Sequence, residues 1–108
     1  MANNFTSYAS KSVGTTPAVL VTVASATQTT IIGLSCANTT TSPVTADVYF
    51  TRSAVNYYLI KGATVPVGGT LVVIGGDQKV VLTPSDALTV VSSAASSLDV
   101  VASALNIT

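Results

Sequence analysis

The chain has 108 residues and few charges: four Lys or Arg, four Asp or Glu, and a formal net charge of zero at neutral pH. Ordinary soluble domains carry about 25% charged residues, and a mixed, well-charged surface keeps them apart in solution. So few basic residues argue against a nucleic-acid binder, which gathers Lys and Arg on one face to neutralise phosphates. The composition instead favours a protein that packs against other proteins.

The length suits a single domain with its own hydrophobic core. We predict one β-sandwich domain over residues 1–108, in which residues 1–13 form either an extended N-terminal arm or the first strand. Phe5 and Tyr8 lie in this otherwise polar segment and would suit a strand exchanged with a neighbouring subunit. The segment lacks the basic and apolar regions of a signal peptide, so we expect synthesis in a cytoplasm. No apolar run reaches the roughly 20 residues that cross a bilayer, and we expect no membrane partner.

Valine, isoleucine, threonine and tyrosine dominate the chain, which is typical of strands. Apolar residues recur at every second position in three segments, and each set is predicted to face one side of a strand. The sets are Val19, Val21 and Val23, then Ile32, Leu34 and Cys36, then Val44, Ala46, Val48 and Phe50. Polar residues between them give the alternation of antiparallel sheets with one face toward the core.

Aromatic residues cluster around Arg52, on two neighbouring predicted strands. Exposed tyrosine beside arginine is typical of interface anchors, although rings on a sheet face also stack against sugars and can simply close the edge of a sandwich. Together with the two aromatic residues of the N-terminal segment, the predicted interface set is Phe5, Tyr8, Tyr49, Arg52, Tyr57 and Tyr58.

Glycine-rich and proline-containing turns divide the second half. The sequence Gly75-Gly76-Asp77 predicts a hairpin between residues 71–74 and 79–82, because glycine reaches the positive φ of tight turns. In the next turn, after Pro84, we expect Asp86 to bond its own downstream backbone.

The C-terminal segment fits either a helix or two strands. Residues Leu88, Val91, Ala95, Leu98, Ala102 and Leu105 are three or four apart, as on one helix face. The serines of residues 92–97 and the paired valines favour strands. In the strand interpretation, Leu98, Val100 and Ala102 face one way and Val101, Leu105 and Ile107 the other, with a change of face near Ser103. A strand apolar on both faces is central in a sandwich or covered by a neighbouring subunit. The whole chain is thus predicted to be an antiparallel, jelly-roll-like β-sandwich of about eight or nine short strands.

Chemistry-bearing residues are scarce. The chain has no histidine, so it lacks the usual general base, and one cysteine cannot close a zinc site. Asp77 and Asp86 are the carboxylates closest in sequence, but both fall in predicted turns. We predict no catalytic residue, no metal site and no cofactor. Cys36 is expected to be a buried thiol, with an intermolecular disulfide as the alternative.

Five segments resemble small structural proteins of tailed bacteriophages: residues 32–40 (IGLSCANTT), 65–73 (VPVGGTLVV), 76–82 (GDQKVVL), 84–90 (PSDALTV) and 98–101 (LDVV). Proteins of this kind often have glycine before the aspartate of the second turn, where this chain has Ser85. The resemblance implies a β-sandwich subunit of a virion, made in the cytoplasm of a host bacterium and present in many copies. It supplies no catalytic residue.

The sequence and the resemblance together predict a non-enzymatic capsid decoration or cement protein, which stabilises the phage head by binding the assembled shell. Its expected partners are further copies of itself, as a homotrimer or another symmetric homo-oligomer, and virion proteins such as the major capsid protein. A tail, neck or baseplate component is the first alternative. The second is a glycan- or receptor-binding module in which Tyr49, Tyr57 and Tyr58 form a stacking platform.

Overall fold

The computed structural model of the chain describes residues 2–75 and 78–108. This part holds nine strands: β1 (Asn3–Val13), β2 (Ala18–Thr22), β3 (Gln28–Asn38), β4 (Val44–Arg52), β5 (Val55–Val65), β6 (Thr70–Ile74), β7 (Val80–Leu82), β8 (Ala87–Ser92) and β9 (Leu98–Ile107). The predicted all-β fold is confirmed, and residues 1–13 contribute the first strand, paired with β9 of the same chain.

Two antiparallel sheets form the sandwich. The first sheet has the order β1-β9-β3, with β6 and β7 both at the far side of β3; the second has the order β2-β8-β4-β5. The chain passes repeatedly from one sheet to the other, and strands far apart in sequence become neighbours. This order is that of a jelly roll, so the predicted jelly-roll-like sandwich is correct.

The core lies between the two sheets and consists of small and branched aliphatic side chains. Ile31, Leu34 and Val100 face inward from the first sheet, and Val48 and Leu88 face them from the second; all are buried. The alternation predicted for β4 holds, because Val44, Ala46 and Val48 are buried in turn. Such period-two burial fixes which face of each strand is left for solvent or for a partner.

Two predicted face assignments are wrong because the register shifts inside the strands. In β3 the shift between Ile31 and Gly33 puts Ile31, rather than Ile32, on the core side with Leu34. In β2 the shift between Val19 and Val21 leaves Val19 57% exposed. A bulge adds one residue and inverts the inward and outward positions on one side of it.

The hairpin predicted around Gly75-Gly76-Asp77 is also wrong. β6 and β7 do not pair with each other; both run antiparallel to β3, β6 beside residues 34–37 and β7 beside residues 29–31. They therefore form one interrupted edge strand that keeps its direction. The turn residues Gly76 and Asp77 themselves lie outside the described residues.

The C-terminal segment forms strands β8 and β9, as the serines and paired valines predicted. Within β9, Leu98, Val100, Ala102 and Ala104 are all buried. The predicted change of face near Ser103 does not occur, since Ala102 and Ala104, which flank exposed Ser103, are both buried on the same side of the strand.

The β4–β5 hairpin turns through Ser53 and Ala54, both of which have positive φ (53° and 62°). A two-residue turn of type I′ requires this conformation at both positions and favours Asn-Gly. An L-residue with a Cβ pays about 1–2 kcal/mol for it. The hairpin forms nevertheless because the strands on both sides of it pair through most of their length.

We predict that replacing this turn with Asn-Gly (S53N/A54G) raises the free energy of unfolding by about 1 kcal/mol, since the strain relieved exceeds the backbone entropy that glycine adds. This corresponds to a rise in Tm of about 4–8 °C for a domain of this size. The control is A63G in β5, where φ is not positive and glycine should destabilise. Equal destabilisation by A54G and A63G would contradict the turn assignment.

Candidate functional site

The outer face of the first sheet is a broad surface almost free of charge. Its outward side chains, set by the strand register, are Asn3, Phe5, Ser7 and Ala9 on β1, Val101, Ser103, Leu105 and Ile107 on β9, Gln28, Thr30 and Ser35 on β3, and Val72 and Val81 on β6 and β7. None of the side chains just named is charged, and at one end of the surface Lys11 Nζ lies 3.7 Å from a carboxylate oxygen of Asp99. We refer to this surface as the neutral face.

Large apolar side chains are exposed on the neutral face. Phe5 is 81% exposed, Val72 65%, Val81 54% and Val101 50%. Phe5 lies in register with Leu105, and Leu105 with Thr30, so these side chains form a row across three strands. Beside it, Gly33, Val72 and Val101 line a shallow hollow. Contiguous exposed apolar surface of this kind marks interaction sites.

Tyr8, also in the predicted interface set, faces the other way from Phe5. It packs against the core from β1, and its hydroxyl accepts a hydrogen bond of 3.0 Å from Asn106 Nδ2. Asn106 Oδ1 in turn accepts one of 2.6 Å from the hydroxyl of buried Thr29. Tyr8 thus closes one end of the sandwich within its own chain.

The aromatic residues of β4 and β5 form two separate pairs. On the outer face of the second sheet, the rings of Tyr49 and Tyr58 have centroids 5.0 Å apart. Lys61 Nζ lies 4.5 Å from the centroid of Tyr58 and 4.0 Å from a carboxylate oxygen of Asp47. This face therefore brings two tyrosine rings together with an ion pair.

Phe50 and Tyr57 make the second pair, with centroids 5.2 Å apart and ring planes at 21°. Because Tyr57 and Tyr58 are successive residues of one strand, with Tyr57 opposite Phe50 and Tyr58 opposite Tyr49, their side chains point to opposite sides of the sheet. The three-tyrosine stacking platform predicted for a glycan is therefore not assembled.

Arg52 belongs to a structural ion pair at the end of the sandwich. Its Nη2 donates to Asp86 Oδ2 at 2.6 Å and its Nε to Asp86 Oδ1 at 3.1 Å, while its guanidinium lies 5.2 Å from the centroid of the Phe50 ring. The side chain of Asp86 is only 2% exposed. Arg52, predicted as an exposed anchor, thus serves first to neutralise a buried carboxylate.

Asp86 also organises the turn that precedes it. Oδ2 accepts hydrogen bonds from the backbone N–H of Thr83 at 2.9 Å and from its hydroxyl at 3.1 Å. The side chain therefore bonds upstream backbone, and the predicted downstream bond is corrected. The Arg52 hydrogen bond, ahead of those from Thr83, holds the pKa of Asp86 below its ordinary value against the opposing effect of burial.

Cys36 is fully buried in β3, and burial raises the pKa of its thiol to about 11. A thiol is a nucleophile only as the thiolate, so this side chain is inert at neutral pH and closed to a partner. The residues described in the structure include no group of three or more His, Cys, Asp or Glu side chains placed to hold a metal ion. Within the same residues no helix is long and apolar enough to span a membrane.

Comparisons with known proteins identify the fold only. No family model and no curated protein matches the chain. A solved structure from Bacillus, an endospore appendage described as belonging to a family of disulfide-linked pili, is similar with a TM-score of 0.56. The similarity covers 99% of this chain and 87% of the pilus chain at 15% sequence identity, which supports a shared β-sandwich architecture.

The sequence pointed to part of the neutral face and missed the rest. Phe5 was identified, and the apolar residues on both sides of β9 predicted a strand that is either central in the sandwich or covered by a neighbouring subunit. Val72 and Val81 were assigned to a hairpin, so their joint position beside β3 was missed. Both residues alternate with inward-facing neighbours, and only the correct partner strand would have placed Val72 in line with Val101 and Val81 in line with Leu105.

We predict that R52M lowers the free energy of unfolding well beyond K11M, although both changes remove one cation and keep an unbranched side chain. Loss of Arg52 leaves a buried carboxylate without its counter-ion, whereas the ion pair of Lys11 is exposed to solvent. Urea unfolding at neutral pH measures both. Equal effects would show that Asp86 does not depend on Arg52.

The same ion pair predicts a pH dependence. Because the pKa of Asp86 is lower in the folded chain than the unfolded value of about 3.9, its contribution is fully present above that value and is lost as the pH falls through the folded pKa. Wild type should therefore exceed D86N in stability at pH 6, and the difference should shrink toward pH 2. A constant difference across this range would contradict the assignment.

Cys36 gives a further prediction. In the folded protein the thiol should resist a maleimide reagent at pH 7 and react fully in 6 M guanidinium chloride, as measured by the mass increase. Gels run without reductant should show no disulfide-linked ladder. Rapid labelling of the native protein would contradict the buried position of this residue.

Proposed function

We propose that this protein is a non-enzymatic structural subunit that acts by packing against other subunits, and that its setting is the virion of a tailed bacteriophage, as a capsid decoration or cement protein. The observation that carries the structural role is the neutral face, with its four exposed large apolar side chains. The sequence resemblance supports the phage setting.

The dimensions of the neutral face suit a specific contact. Strands lie about 4.8 Å apart and rise about 3.4 Å per residue, so four strands of the length of β9, which has ten residues, present about 650 Å². Two such surfaces in contact bury about 1,300 Å², within the range of about 1,200–2,000 Å² for specific protein interfaces. The outward apolar side chains that would meet in such a contact carry no charge.

Binding of this kind needs no chemistry. A protein that binds only the assembled shell adds its binding free energy to the stability of that state. With its sole cysteine buried, the chain would hold its neighbours through non-covalent contacts. Symmetric repetition then multiplies one modest interface over many copies.

The test compares two lysine substitutions at exposed valines on opposite sheets. V101K places a charge in the neutral face, where Val101 is 50% exposed, and V19K places one on β2 of the second sheet, where Val19 is 57% exposed. Light scattering over a dilution series should give a lower average mass for V101K than for wild type at each concentration, because the charge must be desolvated on contact. V19K should behave as wild type.

Equal masses for V101K, V19K and wild type would mean that the neutral face is not a contact between subunits. A lower average mass for V19K alone would show that the contact between subunits lies on the second sheet. Circular dichroism of both variants controls for folding, since each valine is at the surface.

A filament or surface-appendage subunit is the second candidate, favoured by the structural similarity to the Bacillus appendage over 99% of this chain. The two roles differ in where the protein is found. Immunogold labelling of purified particles should mark phage heads if the first proposal holds, whereas label along filaments would replace it with the second. Label on tails would instead support the tail, neck or baseplate alternative.

A further inference from the structure

The edges of the two sheets are not equally protected. β2 is short, follows Pro17 and contains a register shift. β5 has register shifts against β4, carries Lys61 and has positive φ at Gly62. The edge of the first sheet beyond β3 consists of two short strands, β6 and β7. These are the usual devices that stop an edge strand from pairing with another chain.

β1 is the exception in the described part of the chain. It has 11 residues, and from Asn3 to Ala9 it contains no proline, no charge and no register shift. The protective features begin only beyond this stretch, with Lys11 and the register shift between Ser10 and Val13. We refer to Asn3–Ala9 as the open edge.

Hydrogen bonding at the chain ends shows which backbone groups the open edge presents. Ala2 and Thr108 exchange both of their backbone hydrogen bonds, at 3.3 and 3.0 Å. In an antiparallel pair such residues alternate with residues whose N–H and C=O point away from the partner strand. Since the pairing with β9 is regular from Asn3 to Ser10, the outward groups belong to Asn3, Phe5, Ser7 and Ala9. All four residues are exposed.

We propose that the open edge pairs antiparallel with the open edge of a second copy, joining two first sheets into one continuous sheet about a two-fold axis at Thr6. In this register Asn3 lies opposite Ala9 of the second copy, and Phe5 opposite Ser7. All four outward N–H groups and all four outward C=O groups of each strand then find partners. Shifting the register by two residues in either direction leaves some of them unpaired.

Charge and symmetry favour a second copy as the occupant. Two identical strands meet without like-charge repulsion, because Asn3–Ala9 is uncharged and Lys11 is neutralised by Asp99 of its own chain. Two-fold pairing is also closed, so each open edge satisfies the other. The inference rests on the proposed structural role and deepens it, since the pair presents two neutral faces side by side.

Proline at Ser7 tests the backbone pairing. S7P removes an N–H that points away from β9, so it costs no hydrogen bond inside the chain, and proline is tolerated at such edge positions. The variant should keep the fold, as measured by circular dichroism. Sedimentation equilibrium should show a dimer dissociation constant at least tenfold higher than that of wild type, because each copy loses a hydrogen bond between chains. The control is N56P on β5, which removes an exposed hydrogen bond from the Thr51 hydroxyl to Asn56 Oδ1 but leaves the open edge intact, and it should dimerise as wild type does. In the two-residue hairpin Arg52 pairs with Val55, so the N–H of Asn56 likewise points away from its partner strand.

Cross-linking tests the register and does not depend on proline being tolerated. Chains carrying F5C and chains carrying S7C, one of them tagged, are mixed and oxidised with oxidised glutathione; Cys36 stays buried. Directly opposed residues have Cα atoms about 5.5 Å apart, within disulfide range, whereas diagonal neighbours are about 7–8 Å apart. In an equimolar mixture the F5C–S7C product should therefore exceed twice either self-linked product, the ratio that random pairing gives, and should also exceed the mixed product of F5C and A9C chains.

The outcomes separate this inference from the proposed function. Cross-linking in the stated register together with loss of dimer in S7P supports both. If wild type self-associates but S7P associates equally and no F5C–S7C product forms, the open edge is not the contact, while the structural role stands. A wild type that is monomeric at every concentration overturns both.

Discussion

Strand β9 carries apolar side chains on both faces, and this constraint connects the core of the protein with its surface. On one side Leu98, Val100 and Ala102 are fully buried between the sheets. On the other side Val101 is half exposed and Leu105 and Ile107 are partly so. A strand at the centre of a three-strand run buries one face within its own chain. Its other face lies at the surface, and β1 and β3 extend that apolar surface on both sides.

The few charges are placed so that this surface stays neutral. In the described part of the chain each aspartate is paired with a basic residue: Lys11 with Asp99, Arg52 with Asp86 and Lys61 with Asp47. The first pair lies at one end of the neutral face, the second at an end of the sandwich and the third on the opposite sheet. The two pairs with exposed lysines, Lys11–Asp99 and Lys61–Asp47, add little stability, whereas the Arg52–Asp86 pair neutralises a buried carboxylate.

The fold class and the strand identity of the C-terminal segment followed from residue composition, because β-branched pairs and serines disfavour a helix there. The inward and outward faces of a strand could be predicted wherever the alternation of apolar and polar residues was unbroken, as in β4. The predicted faces of Ile32 and Val19 were wrong, because a bulge shifts the register by one residue and leaves no local signal in the sequence. The hairpin at residues 75–77 failed for a different reason. Glycines permit a reversal but do not require one, and pairing of β6 and β7 with β3 depends on a strand some 40 residues away.

The candidate site was predicted in part for the same reasons. Phe5 could be identified because it is a large apolar residue in a polar segment, whereas the inward position of Tyr8 depends on the register with β9. The ion pair between Arg52 and Asp86 joins residues 34 positions apart, and only the folded sandwich brings them together. The predicted stacking platform of three tyrosines does not form, because neighbouring residues of a strand point to opposite faces and Tyr57 is therefore separated from Tyr58.

Sedimentation equilibrium of the wild-type protein over a wide dilution series, with and without reductant, tests the central claim most directly. A neutral sandwich that acts through non-covalent packing should show a mass that rises with concentration to a defined oligomer and does not change with reductant. A monomer at every concentration, or an oligomer that reductant dissolves, would contradict this account.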